Sequence, residues 1–331
     1  MSIRYVINDK VLFFCILFVI VTAMGVGCTE DDGKTDIPVE LPTLSSSVLV
    51  SDGSNPVISP NGSLLLFVRD DVWMLRNGSG SISRLIDETM PQPAAAPVWF
   101  DDNERVVYYA SGPMGSERNG IFLLTISNHA VTQLRVSGRD PCVGSDGFGN
   151  EVILYEEYDA VYTLGIAKIT LPMLNVTALH VTGSKPTLSK FNDYIGYFGG
   201  DNGGRPVTAR LSQLSNSRVL NSRDAFKIDF LDSNTVVFDG NIPQAQGATR
   251  PILFRANLTS GVVDTLYRFA LEPTVSDNKR LTFRGSEDGS ARILQLRNET
   301  LYEVSSSSGR FSVTSTGRVA YESGNTIRLS E

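Results

Sequence analysis

Pro56-Val57-Ile58-Ser59-Pro60-Asn61-Gly62, followed by the apolar run Leu64 to Val68, is the stretch from which the rest of the chain can be read. Ser-Pro-Asn-Gly is turn chemistry: proline presets φ, asparagine bonds its own backbone, and glycine tolerates a left-handed conformation. The residues on either side are apolar and partly β-branched, as strands require. Asp70-Asp71, the run Val72 to Leu75, the turn Asn77-Gly78 and the run Ile82 to Ile86 then complete a unit of four short strands.

The unit recurs six more times. Its first turn returns as Phe100-Asp101-Asp102-Asn103, Ser145-Asp146-Gly147, Ser189-Lys190-Phe191-Asn192-Asp193, Leu231-Asp232-Ser233-Asn234, Ser276-Asp277-Asn278-Lys279 and Ser315-Thr316-Gly317-Arg318. Counted from Ser59, the steps are 41, 45, 44, 42, 45 and 39 residues. Each turn leads into a strand rich in β-branched and aromatic residues, such as Val106-Val107-Tyr108-Tyr109 and Val152-Ile153-Leu154-Tyr155. No stretch beyond the first 27 residues shows a sustained helical period.

Four strands per 40 to 45 residues is the repeat of a propeller blade. The expectation is an all-β fold: one β-propeller of seven four-stranded blades, with six blades as the alternative. The last repeat holds only three strands, and Ser47-Val48-Leu49-Val50 precedes the first repeat as a spare. Its insertion beside the last three would close the ring without a disulfide.

Ahead of the repeats, Arg4 and Lys10 flank an uncharged run from Val11 to Gly27, and Cys28 follows. This is the layout of a secretory signal. Gly27-Cys28 resembles a bacterial lipobox, although Gly25 stands where an aliphatic residue is usual. The resemblance implies lipidation of Cys28, and Thr29 after it points to the outer membrane, facing the periplasm. An uncleaved membrane anchor and simple secretion are the alternatives. Residues 29–42 carry five acids, one lysine and two prolines, a composition suited to an extended tether. The domain reading is therefore 1–27 signal, 28–42 lipidated cysteine and tether, 43–331 propeller.

The motif at residues 56–62 resembles the repeat of TolB-type propellers, whose consensus turn is Ser-Pro-Asp-Gly. The likeness spans roughly residues 45–331, with the motif best kept in the first copy. Members of that family have six blades and a preceding α/β domain, whereas only a short acidic stretch precedes the repeats here. The resemblance implies the fold and an envelope location, and carries no specific role.

The chain has 331 residues, 41% apolar and 20% charged, with a net charge of −7. That balance argues against a nucleic-acid partner. Three cysteines are present, and Cys142 is the one left after the signal and the lipid site, so no disulfide framework forms. Two histidines, His129 and His180, lie apart from each other and from any metal-ligand spacing. There is no Gly-x-Ser-x-Gly elbow and no phosphate loop. No cofactor is expected.

What remains is loop length and charge. Connections after the second and fourth strands share one face, and the longest lie there: Ala110 to Gly120, Gly199 to Pro206, Asp239 to Pro251 and Gly285 to Ala291. The link into each new first strand opens onto the central channel on that same face. The residue before the recurring proline position is Asn55, Ala96, Asp140, Lys185, Ala225, Glu272 or Arg310, with Arg223 and Asp224 close by. Arg118, Arg205 and Arg250 lie in the long loops as anchors for carboxylates. The expectation is a non-catalytic interaction module for an envelope protein partner, held to the membrane by its lipid. An enzyme using Asp140 and Glu272 at the channel mouth, and a small-ligand or glycan binder, are the alternatives.

Overall fold

In the computed structural model the described residues are 36–331, apart from 39, 114, 159–162, 201–203, 221–224, 244–248 and 287–290. The signal segment, Cys28 and the tether up to residue 35 lie outside them. The described residues form seven four-stranded antiparallel sheets, which are the seven blades of a propeller. Six sheets take four consecutive strands each. The seventh has the order Ser46–Val50, Thr326–Ser330, Val319–Ser323, Phe311–Val313, so the N-terminal strand is its outer edge. Ser46 pairs with Ser330 and Val48 with Arg328, and Ser46 Oγ accepts from Arg328 Nε at 3.0 Å. The closure read from Ser47 to Val50 is realised.

The repeated turn explains the repeat in the sequence. Ser59 N–H donates to Leu64 O, Leu64 N–H donates back to Ser59 Oγ, and Gly62, at φ 77°, donates to Ser59 O. Equivalent backbone bonds start at Phe100, Asp146, Ser189, Leu231, Ser276 and Thr314. Two of these, Asp146 and Thr314, sit one residue away from the starts counted in the sequence. Ser59, Asp146, Ser189, Ser276 and Thr314 are buried, so their side-chain oxygens cap the turn where water does not reach.

Among the described residues there is no single core. Seven apolar clusters form, one between each pair of adjacent blades, as stacked units that cannot bury both faces alone demand. One column runs through all of them: Phe67, Tyr108, Tyr155, Tyr197, Phe238, Phe283 and Tyr321, each at the same place on the second strand and each buried. The cluster joining the last blade to the first includes Val50 from the closing strand, packed with Leu65, Phe67 and Ile327.

The compact unit spans Asp36–Glu331. Ile37 is buried with Phe283 and Leu294, Pro42 O accepts from Glu303 N–H, and Thr43 bridges to Glu303. Ile37 packs against Gly285, where a side chain would collide with it.

Candidate functional site

The inner strands break their pairing at one recurring place. Register shifts fall between Ser54 and Val57, Arg139 and Cys142, Ser184 and Thr187, and Leu271 and Thr274. Within each interval a residue sits in the left-handed region immediately before a proline: Asn55 at φ 52°, Asp140 at 47°, Lys185 at 47° and Glu272 at 57°. Proline removes a ladder donor and the bulge re-aims the side chain ahead of it. A non-glycine residue in this region costs on the order of 1–2 kcal/mol, and four blades carry that cost at the same point.

The pairing also corrects the ring. Ile228 lies opposite Phe238, the aromatic column residue of the fifth blade, so the equivalent of Asp140 there is Lys227 and not Ala225. The fifth blade has no proline at this place, which removed the marker used in the sequence. Counting back from the aromatic column would have found it.

Acids one residue beyond the column fasten the ring. Asp239, buried, accepts Phe226 N–H and Lys227 N–H at 2.7 Å and Glu272 N–H at 2.8 Å. Glu322 takes the same position in the last blade, accepting Arg310 N–H and Asn55 N–H. Glu156, also buried, pairs with Arg139. Asp239 and Glu322 hold backbone donors of the ring, while Glu156 holds the Arg139 guanidinium, and so they fix the ring's geometry.

A cavity of about 220 Å³ opens at the channel mouth, lined among others by Ala96, Asp140, Lys185 and Lys227, four members of the ring. Tyr109, Phe198 and Phe226 supply apolar surface, with Pro141 and Pro186 between them. A second cavity of about 370 Å³ shares Lys185, Phe198 and Phe226 and extends past Gly204 and Asn241. Phe226 is 56% exposed, an aromatic side chain left in water beside two lysines. Burial raises the Asp140 carboxyl above the ordinary range; Glu156 adds to this, while Arg139 and Lys185 oppose it. Burial pulls the Lys227 amine below the ordinary lysine range, against the pull of Asp229, Glu272 and Asp239. Its Nζ donates to Thr274 Oγ1 at 2.5 Å.

Of the residues singled out in the sequence, Asp140 and Lys185 meet in this cavity. Glu272 does not line it, and is paired with Arg284 at 3.0 Å. Arg310 bonds the Asn55 side chain at the junction of the last and first blades. Arg118 donates to Thr89 O at 3.4 Å, and Arg205 is exposed at the start of its strand. Arg250 lies in Thr249–Asn257, and its side chain is outside the described residues, as are Arg223 and Asp224. The expected loop Asp239 to Pro251 is instead mostly hairpin, with pairing that runs out to Pro243 and Thr249. Lys227, Phe226, Phe198 and Tyr109 were not singled out. Phe226 next to a lysine, just ahead of an inner strand, was the available signal. Among the described residues no three His, Cys, Asp or Glu side chains converge as a metal set.

No protein-family profile matches the chain, and no curated protein matches it in sequence. Solved structures do. The mitotic checkpoint complex contains a chain with a TM-score of 0.58 at 12% identity, covering 92% of this chain and 98% of that one. An oligogalacturonate lyase from Vibrio parahaemolyticus gives 0.53 at 11%, covering 73% and 77%. A putative TolB from Agrobacterium tumefaciens gives 0.50 at 14%, covering 66% and 81%. The likeness to a TolB read from residues 56–62 is thus met at the level of fold. At such identities what is shared is architecture: this chain is a seven-bladed β-propeller.

Proposed function

We propose that the chain is a non-catalytic interaction module of the bacterial cell envelope, which presents its channel-mouth face to a partner protein. The observation that carries this reading is the cleft at that face, where a strained ring contributes Asp140, Lys185 and Lys227 beside an exposed Phe226. Strain kept in several blades at one place marks a working surface, and exposed aromatics beside charge are the composition of binding hot spots. The envelope location rests on the signal-like segment and on Gly27-Cys28, through which lipid would hold the chain to the outer membrane.

Affinity capture from detergent-solubilised envelope tests the reading. Intact protein is compared with a variant carrying Asp140→Ala, Lys185→Ala and Phe226→Ala, its fold checked by unfolding. A partner held by the first and lost by the second is the expected result. A partner held equally by both places the interaction elsewhere.

One observation favours a second reading. The raised Asp140 carboxyl near Lys185 in a cavity is the arrangement expected of a general acid, and the lyase among the fold neighbours is an enzyme. Hydrolysis or elimination on an ester, lactone and uronide panel, abolished by Asp140→Asn, would transfer weight to it.

A further inference from the structure

The ligand chemistry of the cleft follows from what lines it, given the reading of that face as a binding surface. Lys185 lines both cavities, is exposed, and belongs to no ion pair among the described residues. Lys227 lines the inner cavity. The carboxylates that act on the charge of Lys227 each hold other donors as well. Asp239 holds three backbone N–H groups, Asp229 accepts from Val275 N–H and Phe230 N–H at 2.8 Å each, and Glu272 pairs with Arg284. Lys185 is exposed in the cleft, and Lys227 lines it with donor capacity left over, since an ammonium has three donors and Lys227 uses one of them on Thr274.

The inner cavity's lining also includes the Asp140 carboxylate and apolar surface from Phe198, Phe226 and Ile228. The inner cavity, at about 220 Å³, falls below the roughly 300–1,000 Å³ of pockets that enclose a whole small molecule. It has room for one residue, and the adjoining cavity leaves a path out past Gly204 and Asn241.

We propose that the cleft captures the C-terminal residue of a peptide chain, its carboxylate on Lys185 and Lys227, its amide N–H on Asp140 and its apolar side chain against Phe198 and Phe226. A terminal residue offers all three groups within one residue's reach, and carboxylate capture of this kind is an established mode of peptide recognition. A free acylated amino acid presents the same three groups, so the two sources are separated by measurement.

The test uses the full chain in detergent and a fluorescein-labelled pool of hexapeptides, randomised except for C-terminal Leu, Phe or Met. The same pool is prepared as C-terminal amides, and N-acetylphenylalanine serves as competitor. Saturable binding of the acid pool, weakened about tenfold or more in the amide pool, is expected. Lys185→Gln, an exposed change that leaves the fold intact, lowers acid binding severalfold and leaves any residual amide binding unmoved. Lys227→Met repeats this at the inner cavity, with urea unfolding as its control. Competition by N-acetylphenylalanine at the peptide's own concentration assigns the site to a small acid, and a far weaker effect assigns it to a chain end. Equal binding of acid and amide pools, or no binding of either pool and none of N-acetylphenylalanine, overturns the proposal. If envelope capture still depends on Asp140 and Lys185 in that case, the binding face stands and only its ligand chemistry is wrong.

Discussion

The Asp239 carboxylate accepts the backbone N–H of Glu272 at 2.8 Å, across the boundary between the fifth and sixth blades, while its other oxygen holds Phe226 and Lys227 in its own blade. One buried acid thus positions two members of the channel ring. An amide in its place would set an N–H₂ against a backbone donor. Asp239→Asn is expected to lower stability by about 1–3 kcal/mol, read from the urea midpoint. A change below about 0.5 kcal/mol would mean that this bond does not anchor the ring.

Left-handed φ at Lys185 makes the opposite prediction for stability. The side chain is exposed, and glycine adopts φ 47° without the steric cost borne by lysine. Lys185→Gly should raise unfolding free energy by about 0.5–1 kcal/mol. It should also weaken whatever the cleft binds. A gain of stability with loss of binding is the signature of strain kept for use; destabilisation would contradict it.

Asp140 gives a pH dependence with a definite sign. Its folded-state pKa is raised by burial, so the folded protein holds the proton more tightly than the unfolded chain does. Ionised Asp140 therefore costs stability above its folded pKa, and the cost disappears as pH falls to the ordinary value of 3.8. Asp140→Asn should be more stable than the parent at pH 7, and the difference should shrink as pH is lowered toward 4. Unfolding curves at several pH values check this, and a gap that widens on acidification would reverse the assignment.

The ring closure is tested by truncation. A chain beginning at Asp36 keeps Ile37 and the strand Ser46–Val50, while one beginning at Ser51 loses both. Burial of Ile37 and Val50 contributes about 1.5–3 kcal/mol each. The shorter chain should lose at least about 3 kcal/mol or fail to unfold cooperatively. Equal stability of the two would show that the closing strand is dispensable.

Cys142 reports on the packing between the third and fourth blades. Its thiol is pushed up to about 12 by burial, opposed by bonds to the Leu154 and Leu188 backbone. A protein lacking residues 1–35 should react with a disulfide reagent at pH 8 far more slowly than the same protein in denaturant. Fast reaction of the folded protein would place Cys142 at an accessible surface.

The fold was legible because each blade repeats one turn and one aromatic. Ser59-Pro60-Asn61-Gly62 and its weaker copies mark the blade starts, and the column from Phe67 to Tyr321 marks the second strands. Seven copies average out the errors of any one. The site was legible only where proline punctuates the inner strand, which is why Asp140 and Lys185 were found and Lys227 was not. Phe198 and Phe226 carry no local sign of their place, because a cleft between blades is assembled from residues far apart in the chain. Glu272 and Arg310 were found as ring members, but their engagement by Arg284 and Asn55 depends on partners that no spacing predicts. The stretch Asp239 to Pro251 reads as a long loop in the sequence, yet the strands pair through Asn241, Pro243 and Pro251.

The most direct measurement is photocrosslinking from the two faces. A benzoylphenylalanine is placed at Phe226, in the cleft, or at Phe148, 81% exposed on a turn after a first strand and so on the opposite face. Irradiation in intact envelope should give a discrete adduct from position 226 that Lys185→Gln diminishes, and none from position 148. Adducts from 148 alone, or from neither position, would contradict the claim that the channel-mouth cleft is the face this propeller presents.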